Sequence, residues 1–162
     1  MKTYQSIVAA ATLALVPCVA GAQATVSERS ISMNAALELA QTALQACRAA
    51  GYKVTITVLN RHTRPIVVLS DDGVNPHTIE NSLRKAYTAF TTRSPSGEMA
   101  KRPPVALQSF MQLANITALE GALPIFAGKE LIGSVGISGA PGGEKDAACA
   151  QAGIDKISAG LN

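Results

Sequence analysis

Tryptophan is absent from the 162 residues, and tyrosine and phenylalanine occur three times each. A core made from this chain is therefore aliphatic. The basic residues, among them Arg48, Lys53, Arg61, Arg84, Lys85 and Arg93, are scattered with no aromatics between them, and the formal charge is only +3. That pattern argues against a nucleic-acid surface. Cysteine occurs three times, without the short spacings and additional soft ligands that a zinc site uses. The chain also lacks Gly-x-x-x-x-Gly-Lys-Ser/Thr. Its Gly133, Gly136 and Gly139 fall at every third position within or at the end of a strand, so they do not make a phosphate cradle. Gly-x-Ser-x-Gly is missing too, because Ser138 stands in Gly-Ile-Ser-Gly, and neither histidine has a recognisable acid partner for a triad. There is no internal repeat and no long low-complexity linker.

What is present begins with a leader. Lys2 precedes an uncharged, mostly apolar run from Ile7 to Ala20, followed by Ala20-Gly21-Ala22-Gln23-Ala24, with small-residue cleavage sites after Ala22 or Ala24. This reads as a secretory signal peptide over residues 1–24. A membrane anchor needs about 20 apolar residues, and Pro17 with the small residues after it favours cleavage. A lipoprotein would use Cys18, but Pro17 occupies the position before it. The expected product is periplasmic or secreted, has no membrane span after cleavage, and forms one domain over residues 25–162.

Export leaves Cys47 and Cys149 as the only thiols, which suggests one disulfide in an oxidising compartment, with two free buried thiols as the alternative. Each lies on a predicted helix. If the first and last helices cover the same face of a sheet, the two reach the roughly 6 Å Cα separation that a bridge needs.

Leu37, Ala40, Leu44 and Cys47 recur at helical spacing, and Gly51 follows where a C-cap belongs. Val54 to Val58 alternates as a half-buried strand does. The turn from Arg61 to Pro65 leads into a second strand, Ile66 to Leu69, which makes a hairpin. Asn75 and Pro76 start a second helix, with Ile79, Leu83, Ala86, Tyr87 and Phe90 on one side, ending near Thr92. Residues 94–115 read as short helices or loops with Phe110, Met111 and Leu113 inward. Leu123 to Phe126 and Glu130 to Ser138 form a second hairpin. A last helix from about Glu144 turns Ala147, Ala150, Ile154, Ile157 and Leu161 inward. Successive hairpins predict an α+β sandwich, an antiparallel sheet flanked by helices. In it, the glycines of the last strand let a helix or flat ligand approach, and Pro141-Gly142-Gly143 reverses the chain.

Three stretches, VTITVLNRHTRPIVVLSDDG, HTIENSLRKAYTAF and GALPIFAGKELIGSVGISGAPGGEKDAACAQAG, resemble the GlcG/HbpS family of haem-binding and haem-degrading proteins over nearly all of the mature chain. The resemblance implies a profilin-like or PAS-like sheet, homo-oligomers, and binding of haem or a similar planar molecule. Two departures stand near the expected pocket: Leu59-Asn60 with Thr63 in the first hairpin, and Gly121-Ala122 before Leu-Pro.

Haem iron takes a His, Cys, Met or Tyr ligand in the usual cases, and the histidines are His62, in a hairpin turn, and His77, at a helix start. His77 is the expected metal ligand. A ligand over its helix would also meet Lys85, pairing with a propionate, and Thr88; His62 and Pro124 complete the expected haem-binding set. Each has a plainer reading: solvent-facing histidines, a snorkelling lysine and a packing hydroxyl. Asp71-Asp72 with Glu144 and Asp146 could bind a hard cation if they converged, but carboxylates beside glycines are far more often turn formers and helix N-terminal charges. Degradation, if it occurs, is oxidative attack supported by iron and peroxide, without a dedicated acid or base. Two other functions remain open: a small-molecule enzyme or accessory protein acting on an organic acid, of the glycolate-metabolism type, and a structural oligomer subunit.

Overall fold

The computed structural model describes residues 24–161, so the expected leader lies almost wholly outside the described residues. Four helices and four strands follow in the order α1 (Met33–Ala49), β1 (Thr55–Asn60), β2 (Pro65–Ser70), α2 (His77–Thr92), α3 (Pro104–Met111), β3 (Ala122–Ala127), β4 (Glu130–Ser138) and α4 (Gly143–Ile157), with a 3-10 turn at Ser96–Lys101 before α3. The strands form one antiparallel sheet, order β2-β1-β4-β3. This is the expected α+β fold of two hairpins flanked by helices. Among the described residues no helix is long and apolar enough to cross a membrane.

The two faces of the sheet are chemically different. Ile56, Val58, Val135 and Ile137 pack against Leu39, Ala43 and Ala150 of α1 and α4 in one aliphatic core. Burying each such side chain contributes about 1.5–3 kcal/mol. Cys47 and Cys149 join those two helices in a disulfide with a Cα separation of 5.5 Å.

The opposite face carries Thr55, Thr57, Ser134 and Gly136 and is covered by α2. Strand β1 is therefore buried on both faces rather than half-buried, and its threonines are satisfied by hydroxyls. Thr57 Oγ1 meets Ser82 Oγ at 2.8 Å, and Thr55 Oγ1 meets Thr78 Oγ1 at 2.8 Å. Ser134 Oγ donates to Ala86 O at 2.8 Å.

Two expectations about facing are corrected here. Helix α2 buries Thr78, Ser82, Lys85, Ala86 and Ala89, while Ile79 is 51% exposed and Leu83, Tyr87 and Phe90 are half-buried. The reason is the closeness of the backbones: a Cβ on Gly136 would stand 2.1 Å from Ser82 O and 2.6 Å from Ala86 N. Only small side chains fit at that distance, so the large apolar stripe turns outward. In the segment before β3, Met111 and Leu113 are exposed and α3 buries none of its residues. Phe110 is half-buried, with the Arg102 guanidinium 4.7 Å from its ring centroid.

Candidate functional site

Two clefts take three of the predicted site residues, His62, His77 and Lys85. The first, of about 690 Å³, lies where the N-termini of α2 and α4 approach the end of β4. His77 lines it from the first turn of α2, Lys85 from two turns further on, and the Gly139–Gly143 connection forms one wall. The volume is in the range of small-molecule pockets, about 300–1,000 Å³.

At its floor lies an ion pair that the sequence does not announce. Lys85 Nζ donates to Asp146 Oδ2 at 2.8 Å and to Ile137 O at 2.9 Å. Both side chains are almost fully buried. Asp146 Oδ1 accepts from Ala140 N at 3.0 Å, which ties the 139–143 loop to the pair. Burial pushes the Asp146 carboxyl above the usual carboxylate range, opposed by the Lys85 ammonium and the Ala140 N–H. Gly121, at φ +126°, leaves room for the pair, since a Cβ there would stand 2.7 Å from Asp146 Cβ and 2.8 Å from Lys85 Nζ. Lys85 is thus committed within the fold rather than snorkelling outward.

The second cleft, of about 450 Å³, lies between the β1–β2 turn and the outward face of α2. His62 lines it together with Arg61, Tyr87, Phe90, Arg93 and Leu131. The turn is fixed by Asn60 Oδ1, which accepts from His62 N at 2.9 Å and Arg64 N at 3.0 Å. Arg61 donates to Leu131 O at 2.6 Å and to Glu28 Oε1 at 3.1 Å. Its Nε is sealed from solvent without an acceptor. The hydrogen bond and charge of Arg61 hold the Glu28 carboxyl below its ordinary range.

The structure therefore brings His77 and Lys85 to one cleft and sends His62 to another. Thr88 lines neither: its hydroxyl donates to Arg84 O at 2.9 Å and accepts from Thr117 N at 2.9 Å. Pro124 also lies away from both, on β3 opposite Ser134. Asp71 pairs with Arg48 at 2.8 Å, so it does not converge with Asp146. That Tyr87, Phe90 and Arg93 line a cleft was not legible in the sequence, because Tyr87 and Phe90 belong to a stripe that reads as core.

The family model for "Haem degrading protein HbpS-like" matches residues 31–155. Among solved structures, a double mutant of HbpS from Streptomyces reticuli is 28% identical, with a TM-score of 0.78 over 88% of this chain and 97% of that chain. The ORFY protein of Klebsiella pneumoniae is 24% identical, with a TM-score of 0.78 over 85% and 97%. PduOC, solved as a haem complex, is 22% identical, with a TM-score of 0.72 over 79% and 95%. The last two likenesses speak for the fold alone. A sequence comparison with curated proteins gives no match.

Proposed function

The chain belongs to the HbpS-like family, and from that premise we propose that it is an exported protein that binds haem in the second cleft, with His62 as the imidazole ligand of the iron. The observation that carries the placement is the set of groups around His62. Tyr87 and Phe90 offer aromatic surface to a flat macrocycle. Arg93 has no carboxylate partner among the described residues and suits a propionate. Arg61 is already bound to Leu131 O and Glu28, so it orders the turn that carries His62.

Bound haem would supply iron redox chemistry, the source of reactivity for the haem degradation that the family description names. The chain's part is to grip the ring between α2 and the β1–β2 turn, to neutralise its carboxylates, and to limit water at the iron.

A second placement uses the larger cleft, where His77 and Lys85 stand together. It is weaker because Lys85 is already bound to Asp146 and Ile137 O, and Tyr52 is the one aromatic wall among the described residues.

Export is supported by the disulfide, which persists in oxidising compartments. A homo-oligomer accounts for the outward apolar residues Ile79, Val105 and Leu113, which are 51%, 79% and 54% exposed. Titrating the purified chain with haemin tests the reading. A saturable Soret band at one haem per chain, with weaker binding in Phe90→Ala and Arg93→Ala, is expected. Absence of saturation refutes it.

A further inference from the structure

The first cleft contains polar groups for which the fold gives no internal use. Ser138 ends β4 with its side chain on the α2 face, two residues from Gly136 and four from Ser134 on the same side. It is only 5% exposed, yet it lines the cleft. Its hydroxyl has no hydrogen-bond partner among the described residues, and it is not among the sealed atoms, so it opens onto the cleft. A hydroxyl this deep is expected to be completed by something that enters.

Lys85 stands next to it. Its ammonium is bonded to the carbonyl of Ile137, the residue before Ser138, and uses two of three N–H groups on Ile137 O and Asp146 Oδ2. One N–H remains, on a side chain that lines the same cavity. At the mouth stands Lys53, which makes no direct ion pair among the described residues although its charge helps to hold the Asp71 carboxyl below its ordinary range, and its Nζ lies 3.4 Å from where a Cβ on Gly73 would stand.

The charges around the cleft limit the charge of the occupant. Lys53 and Lys85 are balanced by Glu120 and Asp146, which leaves no cationic surplus for a dianion such as phosphate. The start of α4 on the wall adds the positive end of its dipole, about half a charge, beside Glu144 of the same turn, so the occupant is held by its hydrogen bonds more than by net charge.

We propose that this cleft binds a small monocarboxylate, whose oxygens accept from Lys85 Nζ and Ser138 Oγ while Lys53 faces its charge. The site shares no residue with the second cleft and does not rest on the haem reading.

Heteronuclear NMR of the purified chain tests this, with acetate as the probe and chloride at equal ionic strength and inorganic phosphate as controls. Acetate is expected to give saturable shifts at the amides of residues 137–146 and 77–78, with phosphate weaker. Ser138→Ala should weaken acetate about fivefold, the worth of one neutral hydrogen bond, and leave haemin binding unchanged. Lys85→Met/Asp146→Leu removes both charges together, leaves no buried ion alone, and should weaken acetate by at least about tenfold. The spectrum of each variant shows whether it is folded. No saturable response to acetate in the unaltered chain, an equal response to phosphate, or a response that survives both variants overturns the proposal.

Discussion

Replacing both bridged cysteines, as Cys47→Ala/Cys149→Ala, should lower the melting temperature by an amount that the loop size sets. The bond joins residues 102 apart in sequence, and closing a loop of that size removes chain entropy worth about 4.7 kcal/mol at 25 °C. Globular chains unfold with an entropy of about 2.1 cal/mol/K per residue, which over the described residues 24–161 gives about 0.3 kcal/mol/K. The ratio is a drop of about 15 °C, an upper value because denatured chains retain some structure. The bond also joins the two helices that roof the aliphatic core, so its loss falls on the whole fold. Differential scanning calorimetry of the two forms measures the drop. A fall below about 3 °C would refute the chain-entropy account of the bridge.

Lys85→Met leaves Asp146 buried without its cation and should cost about 3–5 kcal/mol in urea unfolding, with most of the loss recovered in Lys85→Met/Asp146→Leu; no recovery would mean that the ion pair is not the cause. Gly136→Val drives a side chain into Ser82 O and the α2 backbone and should cost at least about 3 kcal/mol, the top of the usual overpacking range; a soluble variant of unchanged stability would contradict the close approach. Asp71 is held below its ordinary range by the Arg48 guanidinium, so its contribution is present above about pH 4 and is lost as pH falls through the depressed value. Urea unfolding of the wild type and Asp71→Asn should therefore differ at neutral pH and converge in acid. Asp146, raised by burial, has the opposite sign, since its cost is relieved on acidification; a wild-type advantage over Asp71→Asn that persists to about pH 2 would contradict the first assignment.

The order of elements was legible because turn chemistry marks it: Gly51 after α1, the Arg61–Arg64 turn, Gly128 between β3 and β4, and Gly142-Gly143 before α4. The facing of α2 was not. Periodicity places large apolar residues inward, but Thr55, Thr57 and Ser134 with Gly136 make a sheet surface that accepts only small partners, and that surface is assembled from strands far apart in sequence. The Lys85–Asp146 pair spans 61 residues, so no local pattern links them. Asp146 reads by itself as a first-turn acid on α4. Division of the two histidines between clefts was equally invisible, since His77 stands at the start of α2 while the β1–β2 turn carries His62 to Tyr87, Phe90 and Arg93 at the other end of that helix.

Absorption titration of haemin into the wild type, His62→Ala and His77→Ala tests the haem placement most directly. The account predicts that His62→Ala shifts the Soret band and weakens binding by more than the about tenfold that even outer-shell changes cost at metal sites, while His77→Ala alters neither. A Soret shift and lost affinity in His77→Ala with an unaltered His62→Ala, or no effect of either substitution, would contradict it.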